Sequence, residues 1–247
     1  MSITFNIISS NPIRRIYIEK LLKSNNIKFK IWSFKPHKSP AFGLFINTIK
    51  LYLYARKHKL PYIAILEDNI RIHESYTSNM FQDVESFINT SNWNQLFIGG
   101  GINLHGNKID TIPNSSVYKN RIYKTYTNHG TAAYIIKSNH YNAILKDPKV
   151  VDIIKNYKKM GTVIPIDILL QSYPNRYVHK PFIFPRSNVI KSTINGHLDL
   201  FRLIYFHPIV FRICEEFLFL NIPICLVGIV ILIPILVIIG LILHIKN

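Results

Sequence analysis

The sequence predicts an α/β domain with a mostly parallel sheet, followed by a C-terminal segment that spans a membrane. Three observations carry that expectation. Short apolar runs of strand length alternate with longer stretches of helical periodicity through most of the chain, the pattern from which parallel sheets are built. One of these runs, Tyr62-Ile63-Ala64-Ile65-Leu66, stops abruptly at Glu67-Asp68-Asn69. It is long enough for a buried strand and too short for a helix. From Phe217 to Leu243, by contrast, nearly every residue is apolar and none is acidic or basic.

Taken in order, Ser2 to Ile8 reads as a first strand. Ser9-Ser10-Asn11-Pro12 is a helix entry, with a capping residue and an early proline. The helix runs from about Ile13 to Lys23, with Ile13, Ile16, Tyr17 and Leu21 at helical spacing. Ile27 to Trp32 alternates apolar and basic, as a half-exposed strand does. Ser33 to Pro40 is a polar loop with two prolines, and Phe42 to Arg56 a helix with Phe45, Ile49, Tyr52 and Leu53 on one face. Pro61 resets the chain before the strand that ends at Glu67.

Ser75 to Ile88 is helical, Asn94 to Ile98 a short strand, and Gly99-Gly100-Gly101 either a flexible turn or a close approach to ligand. Asn103 to Ser116 reads as loop, and Val117 to Tyr126 as one or two strands. Asn128 to Ile136 is a small-residue segment running into a strand, after which Ser138 caps a helix. Further helices follow over Val150 to Lys158 and from Pro165, where proline and Asp167 sit early. Tyr177 to Phe184 is extended and closes at Pro185.

The chain has 247 residues. Without the apolar tail, roughly 200 remain, enough for one domain with a core. The formal charge of +17 admits three kinds of partner: nucleic acid, an anionic membrane surface or a phosphorylated substrate. The lysines are scattered, as in Lys28-Phe29-Lys30 and Lys57-His58-Lys59, and no basic-aromatic recognition motif accompanies them, so no nucleic-acid partner is expected. The two cysteines, Cys214 and Cys225, lie in or beside the tail. The rest of the chain has no disulfide framework, which fits a reducing compartment. The N-terminus lacks the basic and apolar regions of a signal peptide.

At helical rise the run from Phe217 to Leu243 is roughly 40 Å long, enough to span a hydrocarbon core with tilt. Basic residues precede it, which puts the main domain on the cytoplasmic side of a single-pass C-terminal anchor. Asp199 to Arg212 is amphipathic and suits the membrane surface.

In open α/β sheets ligands collect beyond the carboxyl ends of the strands. Glu67, Asp68 and Asn69 stand at such an end. Oxygens there can hold a divalent cation, and the cation a diphosphate; the plain alternative is a solvated acidic turn. Downstream come Thr131-Ala132-Ala133-Tyr134-Ile135-Ile136-Lys137-Ser138, then Pro165-Ile166-Asp167, Pro181 and Ser192-Thr193-Ile194. In this order and spacing, residues 3–195 resemble glycosyltransferase family 25, the lipopolysaccharide-type galactosyl and glucosyl transferases. That family has Glu-Asp-Asp after an apolar strand, an Ala-Tyr-Ile-Ile strand and a Pro-Val-Asp turn. The chain departs from it at Asn69 and in having no histidine around Phe45 to Thr48.

The resemblance implies a Rossmann-like GT-A domain over 1–198; the hydropathy of the remainder adds an amphipathic juxtamembrane segment over 199–216 and a transmembrane helix over 217–245. It implies a hexosyltransferase that moves a hexose from a nucleotide sugar of the UDP-hexose type to a glycan, glycolipid or protein at a membrane. Ser9, Asn11, Arg14, Glu67, Asp68, Asn69 and Thr131 would bind the donor, and Asp68 and Asp167 would be catalytic. Asp68 and Asn69 would hold Mn²⁺ or Mg²⁺, in a site weakened by the uncharged Asn69. Scattered Lys and Arg could share in neutralising the leaving diphosphate. Gly130, Ala132, His129 and His179 are further pocket candidates. Two other readings stay open: an inactive membrane-anchored relative that binds sugar nucleotides or glycans, and a basic membrane-associated scaffold.

Overall fold

A computed structural model describes residues 3–90, 92–100, 116–118, 121–126, 130–156, 166–171 and 173–187, together with Ile209 and Arg212. Strand β1 (Phe5–Ser9), buried along its whole length, leads into helix α1 (Pro12–Ser24). The Asn11 side chain accepts from the backbone N–H groups of Ile13 and Arg14, and Pro12 occupies the first turn, where a missing N–H is no loss. β2 (Phe29–Ser33) returns parallel to β1. α2 (Pro40–Lys57) opens the same way, with Ser39 as cap and Pro40 behind it. It carries the chain to β3 (Tyr62–Glu67), which pairs in parallel with the other side of β1.

The remaining elements are α3 (Ser78–Thr90), β4 (Gln95–Gly100), β5 (Ser116–Tyr118), β6 (Ile122–Thr125), β7 (Ala133–Lys137), α4 (Ser138–Lys146), α5 (Pro148–Asn156), α6 (Ile166–Gln171), β8 (Arg176–His179) and β9 (Phe184–Pro185). The sheet order is β2-β1-β3-β7-β4-β8-β6-β5, with β9 paired to β4. Among the described strands only β7 and β6 run against the rest. The fold is therefore mixed α/β with a mostly parallel sheet.

Alternate residues of the central strands feed two cores. Ile63, Ile65, Tyr134 and Ile136 pack with α2, α4, α5 and α6 on one face. Ala64, Leu66, Ala133 and Ile135 pack with α1 and α3 on the other. One polar pair sits in the first core: the hydroxyls of Tyr52 and Tyr134 meet at 2.9 Å, and burial raises the pKa of both phenols. Each hydroxyl thus has its hydrogen-bond partner in an otherwise apolar layer.

Several expectations need correction. Ile13 and Ile16 do not face the core: they are 79 % and 71 % exposed, while Ile18 and Leu22 carry the buried stripe of α1. Leu53 is likewise turned outward from α2, unlike Phe45, Ile49 and Tyr52. Ser138 does not cap α4. The cap position is Lys137, and the N–H of Ser138 instead donates to the Pro61 carbonyl at 2.9 Å, so the helix starts straight off β7. The extended piece before Pro185 is two strands, β8 and β9. Gly99 is neither a flexible turn nor a ligand contact: it lies inside β4, where a Cβ would stand 2.0 Å from the Phe184 carbonyl oxygen. The loop expected over 103–115 and the segments over 199–208 and 217–245 lie outside the described residues. No helix among the described residues is long and apolar enough to cross a membrane.

Candidate functional site

The strand order reverses at β1. From there the chain steps through α1 to β2 on one side, then crosses through α2 to β3 on the other. Helices on opposite faces leave a crevice beyond the carboxyl ends of β1 and β3, the usual ligand position in such sheets. The register levels those ends, with Ser9 opposite Ser33 and Ile8 opposite Glu67. A cavity of about 330 Å³ occupies this crevice.

Four of the residues expected at the donor line it: Arg14, Glu67, Asp68 and Asn69. Two others stand behind the acids. The Ser9 hydroxyl donates to Asp68 Oδ2 at 2.7 Å, and the Thr131 hydroxyl donates to Glu67 Oε1 at 2.7 Å. Ala132 accepts the Glu67 N–H through its carbonyl at 2.8 Å. Asn11 is not on the wall, because its side-chain oxygen caps α1. Asp167 sits on α6, whose neighbours Ile166, Leu169 and Leu170 pack into the core with α2, and it does not line the cavity. His179 is fully buried, donates from Nδ1 to the Pro181 carbonyl at 2.8 Å and is also absent from the wall. His129 lies outside the described residues. Gly130 takes a φ of +72°, a conformation that favours glycine, just before Thr131.

Sequence reasoning missed Lys35, His37, Asn47 and Arg186. Lys35 and His37 come from the loop after β2, which opens at the same sheet edge, so strand polarity could have found them. Arg186 had no such signal. Residues 69–73 run beside 183–187: Ser187 donates to the Asn69 carbonyl at 2.8 Å, Arg71 to that of Pro185 at 2.9 Å, and Ile70 bridges Arg186. This pairing delivers Arg186 to Glu67, with Nη1 on Oε2 at 3.1 Å and Nη2 on Oε1 at 3.3 Å. Arg14, in the first turn of α1, places Nη1 3.4 Å from Asp68 Oδ1.

Burial pushes the Asp68 carboxyl above the ordinary carboxylate range. The Ser9 hydrogen bond and the Arg14 charge oppose that shift, and the neighbouring Glu67 adds to it. Asp68 is thus a carboxylate with unusual proton affinity on a cavity wall, a combination that marks functional sites.

The Mn²⁺ or Mg²⁺ expected at Asp68 and Asn69 does not fit this donor set. Glu67 uses both oxygens on Thr131 and Arg186, and Asp68 uses both on Ser9 and Arg14. Asn69 Oδ1 is buried without a partner among the described residues, but one neutral oxygen is a poor site for a hard divalent cation. Among the described residues no group of three or more His, Cys, Asp or Glu side chains could hold a metal.

No protein-family model matches the sequence, and no curated protein matches it. The likeness to family 25 therefore rests on its short motifs alone. Similar solved structures include A197 from STIV, at 19 % identity over 72 % of this chain and 81 % of that one, with a TM-score of 0.45. A glycosyltransferase involved in glycosylation of the major capsid of PBCV-1 is 10 % identical over 72 % and 92 %, with a TM-score of 0.35. Apo UDP-glucose pyrophosphorylase is 9 % identical over 75 % and 74 %, with a TM-score of 0.34. These are similarities of chain path, and no activity of this chain follows from them.

Proposed function

We propose that the chain is a GT-A-like hexosyltransferase that takes its hexose from a nucleotide sugar held in the crevice beyond β1 and β3. The observation that carries this is the cavity wall itself. At the point where the strand order reverses, it sets a buried carboxylate of raised pKa, Asp68, among three cations, Arg14, Lys35 and Arg186. A nucleotide sugar has matching needs: an anionic diphosphate that must be met by positive groups, and a reaction in which a hydroxyl loses a proton.

In the transfer, an acceptor hydroxyl oxygen bonds to the anomeric carbon while the bond from that carbon to the phosphate oxygen breaks. The bonding pair leaves with the nucleoside diphosphate, and the hydroxyl proton passes to a base. Asp68 is the base of choice: it is on the wall where Asp167 is not, and its Oδ1, held only by the long 3.4 Å contact to Arg14, keeps a lone pair for the proton. The acceptor is a glycan, glycolipid or protein, and the membrane anchor expected over 217–245 would keep the enzyme beside it.

The test is thermal stabilisation of the full chain across a panel of nucleotide sugars, followed by transfer assays with sugar acceptors using the donors that bind. At least one donor is expected to raise Tm and to be turned over. A chain that no nucleotide sugar stabilises is not this enzyme.

A further inference from the structure

The expected cation site and the observed donor set disagree, and the disagreement has content. Every carboxylate oxygen on the cavity wall already faces a donor from Ser9, Arg14, Thr131 or Arg186. The acids act here as mounts for two guanidinium groups. An arginine presents five N–H donors in a rigid fork. Arg186 meets Glu67 through one edge of its fork and Arg14 meets Asp68 through Nη1, and both side chains also border the cavity.

A third cation, Lys35, enters from the exposed loop after β2 and has no acidic partner among the described residues. Among the described residues, three cations against two carboxylates leave the wall positive in balance. Asn69, on the same wall, keeps a buried Oδ1 with no hydrogen-bond partner among the described residues.

We infer that Arg14, Lys35 and Arg186 grip the diphosphate of the donor directly, in place of a divalent cation, and receive the negative charge that builds on it as the sugar leaves. This rests on the nucleotide-sugar reading and adds the means by which the site holds its ligand. Arg186 and Arg14 approach from different segments, one from the strand pairing at 183–187 and one from the first turn of α1. Two phosphate groups can therefore be met from two sides, with Lys35 closing over them from the loop. Guanidinium forks match phosphate oxygens in pairs. Because Lys35 is exposed, its contribution is smaller and sensitive to salt.

The experiment is isothermal titration of the full-length protein with UDP and with inorganic pyrophosphate, in EDTA and again with Mn²⁺. Both probes are expected to bind in EDTA, with UDP affinity changed less than about twofold by Mn²⁺. Arg186→Gln should weaken both by about 10- to 100-fold, the loss of a charge-assisted contact. Lys35→Gln, on an exposed loop, should weaken both several-fold with an unchanged Tm. UDP binding that appears only with Mn²⁺ would overturn the inference and leave the nucleotide-sugar reading standing. Binding in EDTA that neither variant alters would overturn it as well. Absence of UDP and pyrophosphate binding under both conditions would overturn the inference and the reading together.

Discussion

Asp68 shows how one side chain can be costly to the fold and necessary to the chemistry. Its pKa is raised chiefly by burial. A carboxyl whose folded pKa lies above its unfolded value favours folding while protonated, and that benefit is lost as pH rises through the folded value. At neutral pH the ionised Asp68 is therefore a burden that Ser9 and Arg14 only partly relieve. Asp68→Asn keeps an acceptor for the Ser9 hydroxyl and removes the buried charge. Tm should stay level or rise, while transfer falls by about 10²- to 10⁴-fold, the usual worth of a general base. A variant with full turnover would remove Asp68 from the reaction. The acid itself was legible in the sequence, because an apolar run that breaks at Glu67-Asp68 can only present those groups at a strand end. What each acid touches was not. Glu67 meets Arg186 across 119 positions of chain, and no local pattern encodes a contact of that range. Asn11 shows a related limit: a capping side chain and a ligand-binding one look alike in sequence until the helix N–H groups beneath it are seen.

At the scale of elements, the βαβαβ opening could be read directly, since strand-length runs, capping residues and early prolines agreed with one another from Phe5 to Glu67. The second part was harder. The sequence marks β7 as a strand, but its reversed insertion between β3 and β4 depends on partners far away in sequence. The role of Gly99 beside it is hidden in the sequence for the same reason. Gly99 faces the Phe184 carbonyl at 2.0 Å and the Ala133 Cβ at 2.7 Å from where its own Cβ would be, so its smallness lets three strands converge. Gly99→Ala should destabilise the fold by about 1–3 kcal/mol as an overpacked site, read as a fall in the urea midpoint. Since β9 leads into Arg186, diphosphate affinity should fall with it. A variant as stable as the parent would mean that β9 is not seated there. The exposed Ile13 and Ile16 carry a related lesson: helical spacing defines a stripe, and only the neighbouring sheet decides which stripe turns inward.

For the molecule as a whole, two histidines set an acid limit. Burial pushes His140 and His179 down to about 4 from 6.5. A base whose folded pKa is depressed adds stability above its unfolded value, and that stability is lost as pH falls from 6.5 toward 4. The loss is about 3 kcal/mol per histidine once protonation is complete. The growing positive charge on a chain already at +17 works in the same direction. Urea midpoints should hold between pH 8 and 7 and drop steeply toward pH 5 (values on the order of the titration range itself); a flat profile would show that neither ring is neutral by burial.

The placement of β7 has a final consequence, for how the protein is made. During synthesis the first three strands and their helices can assemble on the ribosome, yet β3 then presents a bare backbone rim until residues 133–137 emerge. Unpaired rims of this kind recruit other chains. A nascent protein cut short after residue 126 should therefore be found in aggregates, whereas the full chain, with β7 on β3 and β8 and β9 on β4, should stay dispersed in a sedimentation assay.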